Sequence, residues 1–241
     1  MKVSVCMAVY NGEKYIYEQI SSIICQLGEN DELIISDDGS MDCTVDLVNK
    51  FNDSRIKIIY NRGRHGYIGN FENALRNVTG EYIFLSDQDD VWMPNKYEIM
   101  MHELQTCDLV VSNSMVTDSN LNVIEESFFE CMNSGPGILK NILRSTYYGS
   151  CMAFKKEILS FALPFPKTNE IGHDLWIGLI GEIVGKVRFV NTPLIKYRRH
   201  EFTATSLNVT FSKSNRSVIK KIKGRLIMIK EIIRFYIKYY F

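Results

Sequence analysis

Short unbroken apolar runs alternate with stretches of helical periodicity through roughly the first ninety residues. Val3 to Val9 is one such run and predicts a buried strand. From Lys14 to Leu27 the apolar residues fall at Ile16, Ile20, Ile23, Ile24 and Leu27, the spacing of one helix face, and Gly28 stands where a C-cap would. Leu33 to Ile35 predicts a second strand, and Asp42 caps a second helix running to about Phe51. Ile56 to Tyr60 follows as a third strand, Gly69 to Val78 as a third helix, and Tyr82 to Leu85 as a fourth strand. This βαβαβαβ order predicts an α/β fold: a Rossmann-like, mostly parallel sheet with right-handed crossovers and helices on its faces.

The second half is less regular. Leu109 to Val111 predicts another strand, residues 114 to 136 are polar with scattered aromatics and read as a loop or flap, and Tyr147 to Phe154 predicts a strand. Asp174 to Val184 is helical in pattern, and Val187 to Val190 and Leu194 to Tyr197 read as two late strands. Pro94 is well placed to open a helix after Trp92. No internal repeat occurs and no linker precedes about residue 205. The simplest division is one large domain over residues 1–205 and a helical tail over 206–241.

Charge separates the same two parts. The chain is formally neutral, but from Lys213 onward nine Lys or Arg face a single acid, Glu231, so the tail is basic and the body acidic. On a helix, Ile219, Ile222, Leu226, Ile229, Ile233, Tyr236, Ile237 and Tyr240 fall within an arc of about 100°. Lys220, Lys223, Lys230, Arg234 and Lys238 occupy the adjoining arc. A basic and apolar-aromatic helix suits an anionic membrane surface; the alternative is a helix docked on the domain's own core or on another subunit. No nucleic-acid motif is present, and nucleic acid is not expected as a partner. The N-terminal apolar run is too short for a secretory signal, and no stretch is long and apolar enough to span a bilayer. A cytoplasmic protein, peripheral on the inner face of the cell membrane, is the expectation. The six cysteines show no CxxC pair and no zinc-type spacing, which predicts reduced, buried thiols.

Chemistry concentrates at predicted strand ends. The first strand runs into Ala8-Val9-Tyr10-Asn11-Gly12, where Asn-Gly demands a tight turn and Tyr10 either stacks on a base or is incidental. The second ends in Ser36-Asp37-Asp38-Gly39-Ser40, whose carboxylates could accept from the N3–H of a pyrimidine. The fourth ends in Asp87-Gln88-Asp89-Asp90, three mutually repelling acids in four residues. They form either a solvated acidic turn or a site for a hard divalent cation such as Mg²⁺ or Mn²⁺. The loop after the first strand is not GxGxxG, which argues against a nicotinamide enzyme or a P-loop kinase.

These three motifs, in this order and each at a strand end, resemble the family 2 glycosyltransferases of the GT-A fold. The resemblance covers roughly residues 2 to 200. Gly172-His173-Asp174-Leu175-Trp176 resembles the family's late acidic motif, with His173 where many members carry Glu. That variant, with Trp92 and Tyr197-Arg198-Arg199-His200, is similar to bacterial rhamnosyltransferases of polysaccharide biosynthesis. Glu201-Phe202-Thr203 departs from their pattern and leaves the sugar open.

The resemblance implies a GT-A catalytic domain in which Ala8, Tyr10, Asn11, Asp37, Asp38, Asn70, Asp87 and Gln88 contact the nucleotide-sugar. It implies Asp87, Asp89 and His200 on the side of a Mn²⁺ or Mg²⁺ ion, and Asp174 as catalytic base. The implied activity is inverting, metal-dependent hexosyl transfer from a UDP- or dTDP-sugar, dTDP-rhamnose among them, to a glycan or lipid-linked glycan acceptor. A nucleotidyltransferase and a catalytically silent binding module are the rival expectations.

Overall fold

The computed structural model describes residues 1–200 and 217–240. Its first half follows the apolar pattern closely: β1 (Val3–Val9), α1 (Ile16–Ile24), β2 (Glu32–Asp37), α2 (Thr44–Asn49), β3 (Ile56–Tyr60), α3 (Tyr67–Leu75) and β4 (Tyr82–Asp87). Strands β3, β2, β1 and β4 lie side by side in parallel. Crossover helices cover their faces, so the strands read as continuous apolar runs. Ile16, Ile20 and Ile23 of α1 are the buried stripe that the spacing predicts.

The sheet then changes character. After β5 (Val91–Trp92) and α4 (Lys96–Glu103) come β6 (Leu109–Thr117), β7 (Val123–Glu125), α5 (Phe128–Met132) and α6 (Ile138–Leu143). A single 3₁₀ turn at Gly149–Cys151 leads into β8 (Met152–Lys155), α7 (Glu157–Ala162), α8 (His173–Val184), β9 (Val187–Arg198) and α9 (Val218–Tyr240). The full order is β3-β2-β1-β4-β8-β6-β9-β5, with β7 on β6. β8 runs antiparallel to both β4 and β6.

Three expectations are corrected here. Residues 114–136 are not an open flap: β6 continues to Thr117, and β7 and α5 follow. Polar residues sit inside β6 largely because they are paired, although Ser112 Oγ has no partner among the described residues. Asn113 accepts from the Ser114 and Phe129 N–H groups and donates to Ser127 Oγ. The two late strands are one, β9, whose partner β6 shifts register around Asn113 to accommodate it. Pro94 does not open α4, which starts two residues later after Asn95 in the left-handed region, φ 64°.

The thiols are free among the described residues, but only Cys6, Cys107 and Cys151 are buried, while Cys25 and Cys43 are exposed. Residues 206–216 and 241 of the expected tail lie outside the described residues. The remainder forms α9, which adds Met228 and Ile232 to the main core.

Candidate functional site

Strand register brings the three motifs together at the carboxyl edge of the sheet. Ala8 pairs with Ser36 on one side and Asp87 on the other, and Val9 pairs with Asp37. Tyr10 lies just beyond and is 54% exposed, an open ring at the crevice. Asn11 takes a left-handed φ of 46°, its N–H donates to Ser40 Oγ, and its side chain accepts from the Met41 N–H, so it joins the first two turns.

Two residues expected at the nucleotide also hydrogen-bond within the protein. Gln88 accepts from the Tyr10 N–H at 2.8 Å and donates to the Tyr10 carbonyl at 3.1 Å, a two-point clamp on the β1 turn. Gly12 makes room for that amide, since a Cβ there would meet Gln88 Oε1 at 2.5 Å. Asn70 is buried, accepts from Ser36 Oγ at 2.6 Å and donates to the Val9 carbonyl at 3.1 Å. The buried Asn70 amide must be paired, and through these pairings both side chains brace the end of β1.

The two acids of β2 also divide. Asp37 is buried and accepts from the Gly39 and Ser40 N–H groups, holding its own turn. Asp38 rims the crevice, accepting from Asn61 Nδ2 and the Gly66 N–H at 2.7 Å each and lying 2.9 Å from the exposed ring of His65. Asp42 accepts from the Glu13 and Thr44 N–H groups one residue ahead of the helix cap, so it braces both turns.

In the third motif the acids have separate environments. Asp87 accepts from Ser150 Oγ at 2.7 Å. Burial, then the charge of Asp89, push its pKa up to about 7, against the Ser150 hydrogen bond. Asp89 lies 2.8 Å from His200 Nε2, and the His200 ring packs 4.7 Å from Tyr15. Asp90 points inward. It accepts from the Arg198 N–H, its other oxygen has no partner among the described residues, and burial, then Asp89 and Asp87, raise it well above the usual range.

Arg198 is pinned beneath this turn by donations to the Asp89 and Ser119 carbonyls, with its guanidinium over the Tyr15 ring. Lys96 is wholly buried, donates to the Ser150 carbonyl and lies 4.6 Å over the Trp92 ring. Burial pulls its pKa down to about 7 against the pull of Cys151, Asp90 and Asp87.

Among the described residues no three His, Cys, Asp or Glu side chains converge on one point as a closed metal cage. The donor set still fits a hard divalent ion: neighbouring carboxylates, with the charge of Asp89 raising the pKa of Asp87 and Asp90, and an imidazole on Asp89. Such an open arrangement leaves positions for oxygens of a bound diphosphate.

Asp174 sits in the first turn of α8. It accepts from the Leu175 N–H at 2.7 Å, and the backbone at Gly149 lies beside it and favours its charged form. Burial nevertheless raises its pKa to about 6. His173 stacks on Phe71 at 3.9 Å, and neither ring nitrogen has a partner among the described residues. Burial drops its pKa to about 3, so it is neutral.

The Gly149–Cys151 turn therefore touches both chemical centres. Gly149 lies beside Asp174, and Ser150 Oγ donates to Asp87. Ser150 and Lys96 escape a reading of the sequence because nothing local marks them, and Arg198, though part of Tyr197-Arg198-Arg199-His200, carries no local sign of its contacts; the partners lie 54 to 109 positions away.

Comparison with known proteins agrees with this geometry. The family model described as Glycosyl transferase family 2 matches residues 4–161. An Escherichia coli relative, the UDP-Glc:alpha-D-GlcNAc-diphosphoundecaprenol beta-1,3-glucosyltransferase WfaP, is 32% identical over 201 residues, 82% of this chain and 77% of that protein. A glycosyltransferase of a Nostoc species is 28% identical over 83% of this chain, which spans 65% of its length. Among solved structures, Staphylococcus aureus TarS 1-349 in complex with UDP-GlcNAc superposes with TM-score 0.67 at 17% identity, covering 99% of this chain and 73% of TarS 1-349. Mycobacterium tuberculosis glucosyl-3-phosphoglycerate synthase, in complex with Mn²⁺, UDP and phosphoglyceric acid, superposes with TM-score 0.63 at 21% identity, covering 93% and 78%. At these identities the two structures speak to the fold, which is GT-A.

Proposed function

The chain belongs to glycosyl transferase family 2, and we propose that it is an inverting transferase moving a sugar from a pyrimidine nucleotide-diphosphate donor to a hydroxyl of a lipid-linked glycan. The observation that carries this reading is the Gly149–Cys151 turn, which sets Gly149 beside Asp174 and hydrogen-bonds Ser150 to Asp87. In this reading residues 1–205 perform the chemistry, and residues 206–241 attach the protein to the inner face of the cell membrane.

Tyr10 and Asp38 flank the base, the ring by stacking and the carboxylate by accepting from N3–H. UDP- and dTDP-sugars both present that N3–H, and dTDP-rhamnose stands among the candidates with UDP-glucose. Asp87, Asp89 and His200 would hold Mn²⁺ or Mg²⁺, which when bound offsets the charge of the departing diphosphate as a Lewis acid. Asp174 takes the proton of the acceptor hydroxyl while that oxygen bonds to the anomeric carbon. The bond to the nucleotide breaks on the opposite face, and its electron pair leaves on the diphosphate. One displacement inverts the centre, so no covalent sugar–enzyme intermediate forms.

A pKa of about 6 suits Asp174 to the role of general base, since the group is ionised at neutral pH yet remains basic enough to accept a proton. The neutral His173 adds no charge beside it. The E. coli relative acts, by its name, on a diphosphoundecaprenol-linked acceptor, which supports an acceptor carried on lipid.

The test is a panel of nucleotide-sugars assayed for nucleoside diphosphate release with Mn²⁺, with Mg²⁺ and with EDTA, with and without a lipid-linked saccharide. Metal-dependent release from one pyrimidine donor is the expected result. Pyrophosphate release would make the protein a nucleotidyltransferase, and no turnover of any donor would leave a silent GT-A module.

A further inference from the structure

Helix α9 has two apolar faces. One docks on the domain: Gly224, Met228 and Ile232 are buried, Phe235 meets Trp176 of α8, and Tyr239 meets Phe161 of α7. The other is the stripe of Ile219, Ile222, Leu226, Ile229, Ile233 and Ile237, all exposed, with Ile219 at 80% and Leu226 at 62%. Docking thus leaves the stripe in solvent over the whole length of a 23-residue helix. An apolar patch of that extent is unusual on a free surface and marks an interaction site.

The two borders of the stripe differ. Lys223, Lys230 and Arg234 follow it on one side at 3.6 residues per turn, with Lys220 and Lys238 beyond them. On the other side stands Arg225, which donates to the Leu143 carbonyl at the end of α6. That contact brings a second helix to the stripe, and its Leu139 and Leu143 are 78% and 62% exposed. Lys140 and Arg144 belong to the same short helix end. Tyr236 and Tyr240, also exposed, add ring bodies suited to an interface with one apolar and one wet side.

We propose that the outer stripe of α9 and the Leu139–Leu143 edge of α6 form one surface that lies on an anionic lipid bilayer. The proposal deepens the membrane attachment suggested above, on which it rests, by giving it a bipartite surface that belongs to the folded domain. The occupant is lipid rather than a second copy of the chain because cations border the apolar residues: Lys and Arg repel their symmetry mates but pair with acidic headgroups. No described helix is long and apolar enough to cross a membrane, which agrees with a helix lying in the interface plane.

The test uses the full chain and vesicles of phosphatidylcholine with or without phosphatidylglycerol, in a sedimentation assay at low and high salt. The wild type should bind the anionic vesicles, lose part of that binding with salt, and keep a salt-resistant remainder from the apolar stripe. Ile222→Glu with Leu226→Glu, and separately Leu139→Glu with Leu143→Glu, should each lower the partition constant at least ~10-fold. Both pairs are at exposed positions and should leave donor hydrolysis and the urea midpoint unchanged. If the α9 pair releases the protein and the α6 pair does not, the composite surface is overturned while tail attachment stands. If the wild type ignores vesicles at every salt, or self-associates through the stripe instead, membrane attachment itself falls.

Discussion

Asp174→Asn separates the chemical role of this carboxylate from its structural one, because the two are predicted to move in opposite directions. Asn keeps the size of the side chain, and its Oδ1 can still accept from the Leu175 N–H that Asp174 receives at 2.7 Å. It cannot take a proton, so kcat should fall at least ~10²-fold with donor KM little changed. The wild-type rate should rise with pH and level off above a pKa of about 6. At pH 5 roughly a tenth of the base would be ionised, and the variant's residual rate should lack this limb.

The stability effect follows from the same value. The folded carboxyl sits at about 6 against an ordinary 3.8, so the folded state binds this proton more tightly than the unfolded chain does. Wild-type stability therefore declines as pH rises from 3.8 through 6. At 1.36 kcal/mol per pH unit the span is worth about 3 kcal/mol, reduced to on the order of 2 kcal/mol because Asp174 is only partly buried. In metal-free protein, urea unfolding should find the Asn variant more stable than wild type by that amount at about pH 8, with the difference gone near pH 3.5. A variant that keeps its turnover and loses donor affinity would move Asp174 into the donor site. A stability difference that does not depend on pH would refute the burial argument.

Three further outcomes are expected. Asp89→Ala, which removes the carboxylate held 2.8 Å from His200, should raise the Mn²⁺ concentration for half-maximal turnover at least ~10- to 100-fold while circular dichroism stays unchanged; wild-type turnover in EDTA would sink the metal assignment. Gly178→Ala would put a Cβ 2.4 Å from the buried Tyr147 ring, whose hydroxyl donates to Glu182, and should cost about 1–3 kcal/mol in urea unfolding; an unchanged midpoint would mean the ring pivots freely. Glu32→Gln should destabilise at pH 7, because although burial opposes ionisation, hydrogen bonds from Lys57, Ser4 and Thr79 hold the Glu32 carboxyl down at about 2. That support is complete above 4.5 and fades as pH falls toward 2, so the gap between variant and wild type should narrow over that window.

The parallel half of the fold was legible because β1, β2 and β4 are largely buried on both faces and end at Asn-Gly, Asp-Gly or acidic turns. Such runs look the same in sequence as in space. The second half was not, because its strands carry polar residues satisfied by distant partners. Asn113 looks like a loop residue until Ser127, Phe129 and Asn191 are brought to it. The acids of the site were legible for a related reason, since three carboxylates in four residues have few structural uses. Their division of labour was not. Nothing local says that Asp90 turns inward to the Arg198 N–H, that Asp37 serves its own turn while Asp38 faces out, or that Gln88 and Asn70 hold strand ends. These assignments depend on which groups the register leaves beside each side chain.

The tail shows how one legible period can hide a second apolar face. The stripe from Ile219 to Tyr240 is present, and its residues are exposed. Membrane binding and docking on the core exclude each other only for a helix with one apolar face. The helix has a second apolar face, made by Gly224, Met228, Ile232 and Phe235, and it is this one that meets the core. Gly224 has no side chain to register as apolar, and Glu231 interrupts the pattern from within, so the face is faint in sequence. Gly224 also lets the helix come close, since a Cβ there would meet Glu170 Oε2 at 3.1 Å. A helix anchored by one face and free on the other holds its stripe at a fixed angle to the domain. A lipid-linked acceptor would then meet Asp174 in an orientation set by the fold, without a search by a loose tether.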